Sequence, residues 1–162
     1  PLLGRVIRGA ALQFVESRKK EGEHLKKDLL EKLDVMLSYV DFIEERSPEI
    51  MRDYREKLEA KVTELLGDTS MDEARIATEV TIFSDKICVD EETVRLRSHI
   101  NNMEEELKKG GCIGRKLDFI AQEMNREANT ILSKANDLAI SDTGINLKTD
   151  IEKVREQIQN IE

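Results

Sequence analysis

Tryptophan is absent from this chain of 162 residues, and aromatic side chains make up only 4% of it. Proline occurs twice, cysteine twice and glycine eight times. So few turn formers and aromatics argue against a β-sandwich or barrel, which needs frequent turns and strands rich in β-branched and aromatic side chains. Long apolar runs are missing too. No stretch approaches the roughly 18–20 uncharged residues of a membrane span, so no membrane partner is expected. The opening PLLGRVIRGA is too short and broken for a secretory signal. Cys88 and Cys112 lie in different segments and form no paired-ligand motif, so they read as free thiols in a reducing cytoplasm.

What is present is charge and helical periodicity. Hydrophobic residues are 39% of the chain, which argues against disorder, and charged ones are 37%. Twenty-six Lys and Arg stand against 34 Asp and Glu, a net charge of −8. Net acidity by itself disfavours nucleic acid as a partner, but the charge is uneven: residues 1–27 carry +4, 28–109 carry −10 and 110–162 carry −2. Narrow apolar stripes and wide solvated faces indicate a helical protein.

The stripes divide the chain. Leu12, Val15, Leu25, Leu29, Leu33, Met36, Leu37, Val40 and Ile43 recur at three- and four-residue steps and predict a helix over about 10–47, on the order of 55 Å long. Ser47-Pro48 reads as a stop and restart, with Pro at the first position of a second helix that ends at Gly67. A polar turn follows at 68–70. A third helix is expected over 71–88 and a fourth is capped by Asp90 and broken at Gly110-Gly111. The fifth covers 113–137 and the last 145–161. The fold class is therefore all-α, about six helices in an elongated bundle with a long N-terminal helix that pairs with another helix or with a second subunit.

Arg115 to Asp137, RKLDFIAQEMNREANTILSKAND, differs from the rest in its polar residues. On a helical wheel, Leu117, Ile120, Ala121, Met124, Ala128, Ile131 and Ala135 form a core-facing stripe within about 60° of its centre. Asp118, Gln122, Asn125, Asn129 and Asn136 border it on one side; Lys116, Glu123, Glu127, Thr130 and Lys134 border it on the other. Glu123 and Glu127, four residues apart, have the separation at which two carboxylates can share a divalent cation. The competing reading is a solvated ion-pair ladder with Lys116 and Lys134. His99, in RLRSHI, is either a packed or surface histidine, a metal ligand, or a base that removes a ribose 2′-hydroxyl proton. His24 lies in a Lys/Glu-rich stretch and reads as surface. Gly110-Gly111 followed by Gly114-Arg115-Lys116 is either a phosphate-binding helix start or a plain turn.

EGEHLKKDLLEKL, DEETVRLRSHI, GRKLDFIAQEMNREANTILSKAND and EKVREQIQNIE, in that order over roughly residues 16–162, together resemble the C-terminal domain of the YicC/YloC family of bacterial endoribonucleases. The strings NREANT, SKAND and REQIQNIE make the resemblance specific. Family members have a separate N-terminal domain, so the resemblance implies that 12–162 is the helical C-terminal domain, without its N-terminal partner. Residues 1–11 match nothing in the pattern.

The resemblance implies a cytoplasmic ring, a hexamer, that encloses RNA and cuts it with help from a divalent metal. The family's characteristic polar residues fall on His99, Arg115, Lys116, Asp118, Glu123, Asn125, Arg126, Glu127, Asn129, Lys134 and Asp137. Leu132, where a Gly is common, and Cys112, where Pro or a small residue is usual, depart from it. On this reading His99, Glu123 and Glu127 hold Mn²⁺ or Mg²⁺, with Asp118 a further catalytic carboxylate. Arg115, Lys116, Arg126 and Lys134 hold RNA phosphates, and Asn125 and Asn129 orient ligands or ribose. The alternative is an RNA-binding or oligomerisation module without chemistry, favoured by the acidic middle and the scarcity of aromatics. A structural coiled coil would need sustained heptads.

Overall fold

The computed structural model describes residues 2–67 and 72–161. Among these the chain forms five helices and no strand: α1 (Leu2–Leu66), α2 (Glu73–Ile87), α3 (Asp90–Lys109), α4 (Gly114–Lys134) and α5 (Leu138–Ile158). The all-α expectation is met with one helix fewer. The predicted turn at 68–70 lies outside the described residues.

The missing break is at Pro48. α1 runs through it as one helix of 65 residues, about 98 Å at 1.5 Å per residue. An interior proline removes one helical hydrogen bond and costs about 3 kcal/mol. Here packing on both sides outweighs that cost. Ile43 and Ile50 are both buried in the same core. Arg46 reaches forward across the proline to Glu49 at 2.8 Å and Asp53 at 3.4 Å. The Ser47 hydroxyl donates to the Ile43 carbonyl at 2.7 Å.

The core lies where the middle of α1 meets the three C-terminal helices. α1 packs on α3 and α5, and both of those pack on α4, so α1 and α4 stand at opposite corners of a four-helix bundle. Leu29, Leu33, Met36, Val40 and Ile43 from α1 meet Leu96, Ile100 and Met103 from α3, Leu117, Met124 and Ile131 from α4, and Leu147, Ile151 and Val154 from α5. α2 packs on the C-terminal part of α1, with Tyr54 and Phe83 stacked at 3.7 Å. It is capped by Asp72, whose carboxylate accepts the Ala74 amide at 3.1 Å.

Several boundaries differ from the sequence reading: α1 already begins at Leu2 rather than near residue 10, and α4 stops at Lys134, with Ala135 extended, rather than at 137. Asp90 is the first residue of α3 rather than its cap, where a carboxylate meets the positive end of the helix. α5 begins two turns earlier than expected, at Leu138. Asp137 caps it by accepting the Ile140 amide at 3.1 Å, and Ile140, Gly144 and Leu147 continue its buried stripe. Gly144 hid this helix, and packing explains the glycine: a Cβ there would stand 2.7 Å from Leu132 Cδ2. Tight connections through Gly110-Gly111, both at positive φ, and through 135–137 set α3, α4 and α5 antiparallel in sequence. No helix among the described residues is long and apolar enough to cross a membrane.

Candidate functional site

The two polar borders of α4 lie against its two neighbours. On the α5 side, Asp118 pairs with Arg155 at 3.1 Å and accepts the Gln122 amide at 2.7 Å. Asn125 is half-buried, and its Oδ1 has no hydrogen-bond partner. On the α3 side, Lys134 pairs with Glu92 at 3.0 Å, Glu127 with Arg95 at 3.1 Å and Lys116 with Glu106 at 2.9 Å. Lys134 also donates to the Cys88 carbonyl at 3.0 Å. Glu92, Glu106 and Glu127 are 5–6% exposed, so each buried carboxylate meets a cation as it leaves water. Lys109 first, then Lys116, hold the Glu106 carboxyl below its ordinary range. The hydrogen bond to Glu127 is the largest influence raising the Arg95 guanidinium.

These pairs set the register of the seam. Going up α3 from Arg95 to Glu106 corresponds to going down α4 from Glu127 to Lys116. One turn beyond Arg95 is His99; one turn before Glu127 is Glu123. The antiparallel register thus brings His99 to the level of Glu123. His99 makes no hydrogen bond or ion pair, among the described residues, and Glu123 has only a loose contact to Arg126 at 3.8 Å.

The expected metal triad is not assembled within one chain. Among the described residues no three His, Cys, Asp or Glu side chains converge closely enough to hold a metal ion. Glu127 is the reason on the acidic side, because Arg95 Nε bonds its Oε2 and Arg95 also reaches Glu92 at 3.2 Å. Asp118 lies on the other border of α4, toward α5, where Arg155 holds it. His99, Glu123 and Glu127 therefore do not fit a three-ligand centre as they stand.

Of the RNA-binding candidates, Arg115, Arg126 and Asn129 lie exposed on the outer face of α4. Lys116 and Lys134 are spent on Glu106 and Glu92, and Asn125 is turned inward. Residue reasoning missed Glu92, Arg95 and Glu106 as members of the seam. Their signal was present on α3, where 92, 95, 99 and 106 share one face at helical spacing.

Residues 43–162 match the family described as endoribonuclease YicC-like, C-terminal. The chain belongs to this family. A Clostridioides difficile protein named probable endoribonuclease YicC is 43% identical over 162 residues, covering 99% of this chain and 55% of that protein. A Haemophilus influenzae protein of the same name is 37% identical over 149 residues, covering 92% of this chain and 51% of that protein. The chain thus spans about half the length of these relatives. In this YicC-like chain the family match begins at Ile43 and includes α2 to α5, so the whole α3–α4 seam falls inside it.

Proposed function

We propose that this YicC-like domain binds RNA and cleaves it in a homo-oligomeric ring of six copies in the cytoplasm. What supports chemistry at the α3–α4 seam is its register, which sets His99 and Glu123, neither with a strong partner, at one level of a row that also contains the ion pairs Arg95–Glu127, Lys116–Glu106 and Lys134–Glu92. His99, half-exposed, takes the proton of a ribose 2′-hydroxyl; the 2′-oxygen bonds to the adjacent phosphorus and the 5′-oxygen leaves. Glu123 orients the imidazole. Arg115 and Arg126, exposed on the same helix, hold the phosphate and its developing charge. Mn²⁺ or Mg²⁺ remains part of the proposal as a cofactor, but one chain does not supply a full ligand set. Further oxygens would come from RNA, a second copy, or Glu127 released from Arg95.

The test is cleavage of end-labelled RNA by wild type, His99→Ala and Glu123→Gln, with EDTA or with Mn²⁺, and with folding checked by circular dichroism. The expected loss is roughly 10²–10⁴-fold for the His99 variant, the range for removing a general base. Folded variants that cut at the wild-type rate remove these residues from the mechanism. Cleavage that survives EDTA removes the metal. Wild type that binds RNA and never cuts it establishes the non-catalytic binding module, a reading that the neutralised state of Glu92, Glu106 and Glu127 favours.

A further inference from the structure

Opposite its core stripe, α4 presents Arg115, Phe119, Gln122, Arg126, Asn129 and Ser133 within a sector of about 80°. This face contains two positive charges and no carboxylate, in a chain with a net charge of −8. Of the carboxylates that border it, Asp118 is held by Arg155 at 3.1 Å and Glu123 lies 3.8 Å from Arg126. Arg115 makes no hydrogen bond or ion pair among the described residues, whereas Arg46, Arg55, Arg95 and Arg97 each bind carboxylates of this chain. Between Arg115 and Arg126 stands Phe119, 63% exposed.

An aromatic ring held in water on a helix face between two cations, Arg115 one turn before it and Arg126 two turns after it, matches the chemistry of a single-stranded nucleic acid. Unpaired bases stack on aromatic faces while cations meet the flanking phosphates. A duplex keeps its bases stacked on one another and offers no free base face to the ring. Phe42 is a contrasting case. It is 40% exposed but is flanked by Asp41, Glu44 and Glu45; one guanidinium, Arg97, pairs with the first two, and the negative excess that is left repels phosphate.

We infer that Phe119 is a stacking platform for an unpaired base, with Arg115 and Arg126 holding the phosphates on either side. This specifies the class of RNA taken by the domain and rests on the RNA reading above. Because Glu123 is one turn beyond Phe119, a base stacked on the ring brings its own sugar to the level of the seam.

The chain has no tryptophan, so Phe119→Trp introduces a lone reporter. Titration with a single-stranded RNA oligomer is expected to quench that emission, a blunt-ended duplex of that strand with its complement leaves it unchanged, and Phe42→Trp responds to neither. In fluorescence anisotropy, Phe119→Leu is expected to bind the single strand about tenfold more weakly while Phe119→Tyr stays close to wild type. Wild type that binds no RNA defeats the RNA reading and this inference together. Wild type that binds, with Phe119→Leu equally tight or the Phe119→Trp emission unmoved at saturation, defeats only the platform. A change in sedimentation of Phe119→Leu without RNA assigns the face to a copy–copy contact and likewise overturns it.

Discussion

Asp137 shows how one carboxylate can be needed for reasons unrelated to chemistry. It accepts the Ile140 amide at 3.1 Å, which starts α5, and the Arg46 guanidinium at 3.0 Å, which ties α1 to that start. Arg46 is the largest influence holding this carboxyl below its ordinary value; burial opposes it and the Ile140 amide adds to it. A carboxylate depressed in the folded state stabilises the fold above the unfolded value, about 3.9, and loses that contribution as pH falls through the lower folded value. Asn can still cap a helix but carries no charge. Asp137→Asn should therefore cost about 1 kcal/mol in urea unfolding at pH 7 and flatten the acid limb of stability below about pH 4. Asp137→Ala should cost roughly another 1 kcal/mol through the lost cap. An Asp137→Asn variant as stable as wild type would show that the charge contributes nothing, and equal losses for the two variants would show the same of the cap. In the sequence Asp137 was visible only as a family position. Its partner Arg46 is 91 residues away, and no local pattern connects them. The same holds for Glu127: its face on α4 was legible from the helical wheel, but Arg95 belongs to another helix, and its spacing from Glu127 follows no helical period.

Helices were legible where propensity and packing agree, and were misread where packing overrules propensity. The wheel of α4 placed its core stripe from Leu117 to Ile131 correctly, because the apolar period alone determines which side faces inward, but Gln122 and Asn129 from its border lie exposed, and Ala135 and Asn136 lie beyond the helix. Pro48 and Gly144 are the two failures. Each is a poor helix former kept inside a helix by contacts that the sequence does not display. At Gly144 the contact is Leu132, whose side-chain end would lie 2.7 Å from a new Cβ. Gly144→Ala should therefore cost about 1–2 kcal/mol by overpacking, despite the helix propensity it gains. In a Leu132→Ala background the same change should cost nothing or stabilise slightly, since the clash is gone. A double-mutant cycle in urea checks this, and additivity would refute the contact as the reason for the glycine. Gly114 makes a harder contact. Its Cβ would meet the Ile161 carbonyl at 2.8 Å, and backbone cannot rotate away as a leucine can. Gly114→Ala should displace the C-terminal segment from the start of α4.

At the scale of the molecule, the first third of α1 is the part the bundle does not explain. Residues 3–24 are exposed, about 33 Å of helix without a covering element. Leu3, Val6, Ile7, Ala10 and Phe14 share one side of it within about 100°, and Leu3, Ile7 and Phe14 are 60–74% exposed. An isolated amphipathic helix of this length is marginal in water, so a contact outside this chain is what would hold it. Residues 1–27 carry +4 while 28–109 carry −10, so the arm of one copy is complementary to the middle of another. This supports the homo-oligomer proposed for this YicC-like chain, and it separates assembly from the α3–α4 seam. Ile7→Glu with Phe14→Glu should shift wild-type oligomers to monomers in sedimentation equilibrium, with the α3–α5 bundle still folded by circular dichroism. Raising salt should weaken wild-type assembly in the same direction, since the charge contribution is screened over about 10 Å at 0.1 M. A wild-type chain that sediments as a monomer at tens of micromolar would leave the arm without a partner copy. Oligomers that persist unchanged in the double variant would place the copy–copy contact elsewhere on the molecule.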